Sequence, residues 1–282
     1  MEISITHELI YQYSKPVYLE PQIIYLTPRW SYYRGIKDFT IEIFPDPSLM
    51  AANLDVEGNL QNIAHFSEMT DTFKVRSSFL SYAEQWNPFE FIVYPFEEQS
   101  VPLKYSDSVL LSLSPYLKQI GDERMVKEYC EKIFGNKNVP ILDFLNTLAN
   151  AISVEFSYAY REEGDAMLPE ELLKVKTGTC RDFSNLFMQV CRQNGIAARF
   201  VSGYFHGDAN QSRHLHGWVE VYIPGGGWRG VDPTQGVMAD ERYIALAASA
   251  DTNKVAPVSG NFRGDAKAEL NTSLVINEAG ID

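Results

Sequence analysis

The chain has 282 residues, 45% hydrophobic and 22% charged, a composition typical of a globular protein with a large core. Its formal net charge of −13 argues against a nucleic-acid partner, because phosphate binding needs clustered lysine and arginine. Residues 1–16 lack the basic and apolar regions of a signal peptide, and no apolar run approaches the roughly 20 residues of a membrane helix. Three irregularly spaced cysteines predict neither a disulfide framework nor a metal knuckle. Taken together, these features lead us to expect a soluble, cytoplasmic protein without a membrane partner.

Residues 1–103 are predicted to form an N-terminal β-rich domain. Short runs of β-branched and aromatic residues alternate with turn residues, which is typical of strands. Glu57-Gly58-Asn59 separates two further runs, 51–54 and 60–63, and predicts a hairpin. These signals favour a β-sandwich-like module. The clearest strand signals are Ile3–Tyr13, Phe39–Phe44 and Phe91–Tyr94.

Residues 104–282 are predicted to form a second domain, in which helices come first and strands follow. Apolar residues recur at helical spacing from Asp107 onward, and three strand signals follow the last long helix. The predicted helices cover about 107–117, 125–134, 141–154 and 169–175, then one from Cys180 that ends at Gly195, and a helical patch at 243–248. The predicted strands cover 198–205, 216–223, 228–231 and 270–276.

Cys180 is predicted to begin an amphipathic helix directly after the turn Thr177–Thr179. A helix N-terminus presents unpaired backbone N–H groups, which favour a thiolate and can also hold a developing oxyanion. A buried packing role is the commonest fate of an unpaired cysteine, and it fits Cys130 and Cys191. Cys180 precedes the apolar stripe of its helix, so we predict that it is a nucleophile.

His216 and Asp232 are the candidate base and the candidate orienting carboxylate. The odd positions of strand 216–223 are small or aliphatic, so His216 projects from the opposite, mixed face and is available to a cleft. The midpoint of 216 and 232 is Pro224, which begins a Pro-Gly turn, so hairpin pairing brings the two residues close together. Asp232 can then accept the Nδ1 proton of His216 and leave Nε2 to take the thiol proton. Taken alone, Asp232-Pro233 also fits a simple turn.

A zinc site is the competing interpretation of the histidines. His214 and His216 lie two apart on one strand, and His206 and Asp208 lie in the preceding loop. No i, i+4 histidine pair or H-E-x-x-H motif accompanies them, so we expect neither a metal nor another cofactor. The histidines interpreted as incidental, because they lie in the β-rich half, are His7 and His65.

Three motifs resemble the transglutaminase-like superfamily, and in particular its bacterial members described as candidate cysteine proteases. They are Gly178–Ser184 around the cysteine, His216–Val221 around the histidine and Gly230–Thr234 around the aspartate, in the family's order. Residues 11–22 resemble the opening of the β-rich region ahead of the catalytic domain in these bacterial proteins. The resemblance implies a papain-like α+β fold, in which the nucleophile helix packs on an antiparallel sheet. It also implies a catalytic triad of Cys180, His216 and Asp232.

Two residues depart from the family's usual pattern, and two further residues are candidates for the site. The family usually has a hydrophobic residue at the position of Thr179 and alanine at that of Gly217. Residues 156–158 resemble the aromatic segment upstream of the family's nucleophile, which implies that Tyr158 assists the backbone N–H of the cysteine in binding the oxyanion. Trp218 is a second candidate for contact with the oxyanion or the substrate.

We therefore predict a cysteine-dependent acyl-transfer enzyme that opens amide, peptide or isopeptide bonds through a thioester. Hydrolysis of a peptide or protein substrate is favoured, because the bacterial relatives are commonly described as proteases. Transfer to an amine, as in a transglutaminase, uses the same triad and stays open. A protein of another class, which keeps the fold for binding or assembly without turnover, is also open, as is the oligomeric state.

Overall fold

The structure is a computed structural model that describes residues 1–95, 100–135, 137–161, 164–207 and 214–278. None of the helices within these residues is long and apolar enough to cross a membrane. The α-helices are α1 (Asp107–Leu113), α2 (Glu123–Phe134), α3 (Ile141–Glu155), α4 (Pro169–Val175) and α5 (Cys180–Gln193). The strands are β1 (Glu2–Leu19), β2 (Gln22–Ile24), β3 (Arg34–Phe44), β4 (Leu49–Leu54), β5 (Leu60–His65), β6 (Met69–Ala83), β7 (Ser100–Val101), β8 (Val139–Pro140), β9 (Ser157–Tyr158), β10 (Thr177–Gly178), β11 (Ala198–Phe205), β12 (His216–Ile223), β13 (Gly227–Asp232), β14 (Val237–Met238), β15 (Tyr243–Ser249), β16 (Val258–Ser259), β17 (Phe262–Arg263) and β18 (Ala268–Glu278).

Two sheets pack face to face in the N-terminal half. The first has the order β17-β1-β6-β3, with β18 also paired to β1, and the second has the order β16-β2-β5-β4. Alternate residues of β1 are buried, because strand side chains alternate between the two faces of a sheet. The sandwich predicted from the sequence is therefore present. Its core includes Ile5, Leu9 and Val75 from the first sheet and Ile24 and Ala64 from the second.

The last strands of the chain belong to these N-terminal sheets. β18 pairs with β1 from Ile3–Glu278 to Tyr13–Ala268, β17 pairs with the end of β1, and β16 pairs with β2. The predicted final strand is thus present. The predicted division at 103/104 does not describe this return, since residues 258–278 lie beyond it yet complete the sandwich. The reason is physical: a strand signal does not say which distant strand will be its partner.

Helix α5 packs on a five-stranded antiparallel sheet in the order β14-β13-β12-β11-β15. The helix begins at Cys180, as predicted, because Thr179 and Asp182 form a capping box there. Its apolar side chains recur at helical spacing and are buried against the sheet. This is the predicted α+β architecture. The core between helix and sheet includes Phe183, Leu186 and Val190 of α5 and Phe200, Val219 and Val231 of the sheet.

Two predicted elements are wrong. Residues 243–248, predicted as a helical patch, lie in β15 and pair with β11. Alanine and leucine favour helices in isolation, but strand pairing and burial decide the conformation here. Phe91–Tyr94, predicted as a strand, has no strand partner among the described residues. Phe91 and Val93 pack as an irregular segment against the core around α5.

Candidate active site

Cys180 occupies the N-terminus of α5 and is buried, with 7% of the residue exposed. Because Cys180 is the first helical residue, its backbone N–H makes no hydrogen bond to a carbonyl of the helix. The sulfur faces β12: a Cβ built on Gly217 would lie 3.7 Å from Cys180 Sγ. The thiol is therefore held between an open helix end and the strand that carries His216.

His216 and Asp232 are joined by a hydrogen bond across the hairpin of β12 and β13. Their Nε2 and Oδ2 atoms lie 2.7 Å apart, and the two side chains are 12% and 0% exposed. The hairpin register pairs Val219 with Val231, which puts Asp232 level with Trp218. Residues 216 and 218 share a face of the strand, so His216 and Asp232 are diagonal neighbours. The structure brings these two residues together, as the hairpin argument predicts.

The two ring nitrogens of His216 have the opposite roles from those predicted. Nε2, and not Nδ1, contacts Asp232. Nδ1 is therefore the nitrogen left for the thiol of Cys180, whose hydrogen bond contributes to the raised pKa of His216. Strand pairing sets the separation of two residues but leaves the rotamer of an imidazole ring open, so the sequence does not decide between the two nitrogens.

The His216 ring is held as an imidazolium. Burial disfavours the charged ring, but the charge and hydrogen bond of Asp232, followed by those of Cys180, outweigh burial and raise the pKa of His216 to about 10. Burial also works against the Asp232 carboxylate, yet His216 and the other donors hold the pKa of Asp232 below its usual range. Both shifts favour an ion pair between His216 and Asp232 at neutral pH.

Tyr243 is a fourth member of this network. Its hydroxyl donates to Asp232 Oδ2 over 2.9 Å, while Asp232 Oδ1 accepts the backbone N–H groups of Thr234 and Gln235 at 2.8 and 3.2 Å. The last two bonds are those of an Asp-Pro turn, so Asp232 both contacts His216 and accepts the hydrogen bonds of its own turn. The helical prediction for 243–248 concealed Tyr243. In the fold, Tyr243 pairs with Phe205 of β11, the strand that lies between β15 and the histidine strand β12.

Tyr158 and Trp218, the two further predicted site residues, lie in different surroundings. Tyr158 is 50% exposed and lines the same cavity as Cys180. Burial, and next the charge of Cys180, raise the pKa of Tyr158 to about 12, so its hydroxyl stays protonated and able to donate. Trp218 is 3% exposed, with ring centroids 6.3 Å from His216 and 5.3 Å from Tyr243. Trp218 therefore supports the network from within the protein.

The cavity over Cys180 is built from both halves of the chain. It has a volume of about 360 Å³, and its walls come from the loop before α5, from β12, and from β1 and β18 of the sandwich. His7 of β1 lies in this wall, with Nδ1 3.1 Å from the Tyr204 hydroxyl and Nε2 3.3 Å from Thr272 Oγ1. Burial lowers the pKa of His7 to about 4, so the ring is neutral. His7 therefore does not lie far from the site, contrary to what its place in the β-rich half suggested, because folding brings it to a residue 197 positions later.

Asp182 ties together the segments around the nucleophile. It is fully buried, and Oδ2 accepts the backbone N–H of Thr179 at 2.7 Å and its hydroxyl at 3.0 Å. Oδ1 accepts the N–H of Met167 at 2.7 Å and a guanidinium N–H of Arg161 at 2.8 Å. A carboxylate two positions from Cys180 is therefore occupied by four donors and paired with a cation, which fixes the turn before α5.

The histidines of the competing zinc interpretation have separate partners. His206 Nε2 lies 3.2 Å from a carboxylate oxygen of Glu278, and His214 stacks on Tyr160 with a centroid distance of 4.2 Å. Asp208 lies outside the described residues. In the described part of the chain, no three His, Cys, Asp or Glu side chains are grouped to hold a metal ion. The geometry therefore gives zinc no ligand set there.

The fold and this arrangement define a papain-like α+β protein with a Cys-His-Asp constellation at the start of its central helix. The profile of the transglutaminase-like superfamily matches residues 127–233, a range that includes all three side chains. The profile of the bacterial transglutaminase-like N-terminal region matches residues 3–80. The chain belongs to the transglutaminase-like superfamily and carries both its core and this bacterial N-terminal region.

Relatives and a solved structure extend the likeness over both halves. An uncharacterized protein of Mycobacterium tuberculosis (strain H37Rv) is 28% identical over 274 residues, 91% of this chain and 86% of the relative. A protein-glutamine gamma-glutamyltransferase of Pseudomonas aeruginosa is 35% identical over 107 residues, 33% of this chain and 16% of that protein. A crystal structure from Cytophaga hutchinsonii, described as a candidate cysteine protease, has a TM-score of 0.75 at 20% identity, covering 100% of this chain and 92% of that chain. The fold of both halves is therefore shared.

Proposed function

We propose that the protein is a cysteine-dependent acyl-transfer enzyme whose triad is Cys180, His216 and Asp232. The observation that carries the proposal is the buried His216–Asp232 hydrogen bond of 2.7 Å beside a thiol at a helix N-terminus. Membership of the transglutaminase-like superfamily supports the same chemistry. The proposed substrate is an amide of a peptide or protein, and the scheme needs no cofactor.

In the proposed reaction, the Cys180 thiolate attacks the carbonyl carbon of an amide. As the C–N bond breaks, the His216 imidazolium gives its Nδ1 proton to the leaving amine, and an acyl thioester remains on Cys180. Neutral His216 then takes a proton from water while the water oxygen attacks the thioester. The acid leaves, the thiolate and imidazolium are restored, and Asp232 stays ionised and holds the ring throughout.

The tetrahedral intermediates carry a negative oxygen that needs donors. The backbone N–H of Cys180 supplies one, because it stands at the open end of α5, where the helix dipole also favours negative charge. The Tyr158 hydroxyl is the proposed second donor, since it lines the same cavity and the raised pKa of Tyr158 keeps it protonated. A Tyr158→Phe variant therefore tests the second donor alone.

Hydrolysis is the favoured outcome of the second half-reaction. Tyr158 and Tyr160 line the cavity and are 50% and 48% exposed, so solvent reaches the rim of the site. Transfer to an amine is the second candidate, and the likeness to the Pseudomonas aeruginosa glutamyltransferase over 107 residues favours it. Both outcomes share the thioester, and they differ only in the acceptor that reaches it.

A panel of fluorogenic peptide amides, offered with and without a primary amine, tests the proposal. Free acid formed without the amine supports hydrolysis, whereas product that requires the amine supports the transferase. Cys180→Ser should abolish turnover, and Cys130→Ser, a matched change at a thiol on α2, should retain it. No turnover, together with equal Cys180 alkylation rates in the wild type and His216→Ala, would favour the non-catalytic binding protein.

We also propose that the enzyme works in the cytoplasm. All three cysteines are free thiols, and a thiol nucleophile must stay reduced, as cytosolic conditions ensure. Fractionation of the native host followed by immunodetection tests this. Recovery of the protein only outside the cytoplasmic fraction would contradict the assignment and leave the proposed chemistry unaffected.

A further inference from the structure

All four tryptophans of the chain line one cavity, separate from the one over Cys180. Trp30 and Trp86 come from separate segments, and Trp218 and Trp228 from the hairpin of β12 and β13. All four line a space of about 330 Å³ between the residue 29–34 loop and the five-stranded sheet that carries His216. Trp30 is 86% exposed and lines the cavity, so its ring is accessible to a ligand there. The walls therefore offer flat aromatic faces to whatever enters.

The aromatic faces are already arranged for stacking. The rings of Tyr33 and Trp86 are parallel, with an interplanar angle of 4° and centroids 4.3 Å apart. The guanidinium of Arg229 lies 5.4 Å from the Trp86 centroid, and that of Arg199 lies 4.1 Å from the Trp228 centroid. The cavity lining thus already contains a ring stacked on a ring and guanidinium groups stacked on rings, which are the contacts that a planar ligand would extend.

The same cavity concentrates positive charge in an acidic protein. Arg29, Arg34, Arg199 and Arg229 line it, whereas Glu220 is the only carboxylate among its described lining residues. Glu220 is committed to Arg199, with an N–O distance of 2.6 Å. The formal charge of the whole chain is −13, so this local excess of cations is opposite in sign to the net charge of the protein.

The guanidinium of Arg229 contacts two rings, 5.4 Å from the Trp86 centroid and 4.9 Å from the Phe91 centroid, but no carboxylate in the described part of the chain. The residue is 8% exposed, its Nε has no hydrogen-bond partner among the described residues, and its Nη2 makes one long bond of 3.4 Å to the carbonyl of Glu90. A buried guanidinium normally pairs with a carboxylate or phosphate, because leaving the charge unpaired is costly. An anion in the cavity would supply the missing charge.

We propose that this cavity binds a small planar anion, a ring that carries a carboxylate or a phosphate. The rings supply stacking faces, and the guanidinium groups supply the paired donors that match either anionic group. The volume of about 330 Å³ is that of a small-molecule site. A neutral sugar is disfavoured, because the charged lining is dominated by arginine. The proposal does not rest on the proposed acyl-transfer chemistry. Two side chains contact both this cavity and the His216–Asp232 pair, namely Trp218 and Tyr243.

Isothermal titration calorimetry on the full chain tests the proposal with matched pairs of probes. Adenosine monophosphate is compared with adenosine, and 2-naphthoate with 2-naphthamide, so each pair differs in the anionic group. We expect at least one anion to bind at least about tenfold more tightly than its neutral partner, with an affinity that falls as salt rises. The stronger anion decides between phosphate and carboxylate.

Three variants locate the binding site. Trp30→Ala removes an exposed ring and does not threaten the core, so at least about fivefold weaker binding is expected from lost stacking. Arg229→Gln should weaken the anion about tenfold and leave the neutral partner unchanged. Arg124→Gln, on an α2 side chain that is 78% exposed, is the matched control and should change nothing. The proposal is overturned if neither anion binds at millimolar concentration, if a neutral sugar or neutral partner binds as well, or if Trp30→Ala binds as the wild type does.

Discussion

The hydroxyl of Tyr243 lies 2.9 Å from Oδ2 of Asp232, the oxygen that also accepts a hydrogen bond from Nε2 of His216. The carboxylate is therefore held by strand β15 as well as by its own turn. Tyr243 is itself confined, because it stacks on Phe205 with a centroid distance of 4.5 Å and meets Trp218 edge-on at 5.3 Å. The orientation of the imidazole thus depends on packing across three strands.

Tyr243→Phe should slow alkylation of Cys180 by iodoacetamide at pH 7 about fivefold, because Asp232 loses one of the donors that orient it. The variant should also lose about 1 kcal/mol of unfolding free energy. Tyr204→Phe is the matched control, since it removes another buried hydroxyl, one that bonds His7 and not Asp232. A similar loss of stability with an unchanged alkylation rate is expected there. Equal alkylation by both variants would argue against an orienting role for Tyr243.

Asp232→Asn should lower the rate of Cys180 alkylation at pH 7 by at least about tenfold. The charge of the carboxylate is the largest influence that raises the pKa of His216, so its loss removes the imidazolium that stands beside Cys180 in the proposed mechanism. Because the folded pKa of His216 is raised, its stabilisation is full below about pH 6.5 and is lost as pH rises through about 10. The wild type should accordingly lose this share of its stability between those pH values, and Asp232→Asn should not.

The control for this prediction is Asp240→Asn, which removes a nearby carboxylate that is paired with Arg242. Its alkylation profile against pH should match that of the wild type. Denaturation in urea, followed at pH 6.5 and pH 10, gives the stability comparison. An Asp232→Asn variant that retained the wild-type dependence of both quantities would show that another group sets the titration.

Short-range signals account for the parts of the site that the sequence predicts. The start of α5 depends on Thr179 and Asp182, three positions apart, and the approach of His216 and Asp232 depends on one hairpin. Both are local consequences of capping and strand pairing, so the order of residues contains them. The exchange of roles between the two nitrogens of His216 was not predictable, because it depends on a rotamer that only the packed site selects.

Long-range pairing accounts for what the sequence leaves out. His7 reaches the cavity because β1 meets residues of β11 and β18, and its hydrogen-bond partners lie 197 and 265 positions away. Tyr243 reaches Asp232 because β15 joins the sheet at β11, although its alanine-rich sequence favours a helix in isolation. The local sequence around His7 or Tyr243 does not predict which residues each will contact, so only the tertiary fold identifies these contacts.

Acid should destabilise the protein through His7. Burial lowers the pKa of His7 to about 4, so the folded state resists protonation that the unfolded chain accepts near pH 6.5. The stability tied to this group is full above about pH 6.5 and is lost as pH falls toward 4, to a total of about 3 kcal/mol. His7→Gln, which keeps an amide able to bond Tyr204, should flatten that part of the stability curve. His65→Gln, at an exposed histidine, should not. The test is the free energy of unfolding, measured from pH 7 to 4. Identical curves of this free energy against pH for the wild type and His7→Gln would contradict the assignment of the pH dependence to His7.

Gly217→Ala tests why this chain departs from the alanine that its family usually has. A Cβ at this position would lie 2.5 Å from the ring of Phe200, which is itself 3% exposed, and 3.7 Å from Cys180 Sγ. The substitution should cost about 1–3 kcal/mol of unfolding free energy, because a filled core accepts a new methyl group only by moving the ring. Phe200→Leu alone should also destabilise, since it leaves a gap in the core. The double variant should cost at least about 1 kcal/mol less than the sum of the two, because the smaller side chain makes room for the new methyl group. Urea denaturation of all four proteins completes the cycle, and additive free energies would mean that Phe200 is not what excludes alanine from position 217.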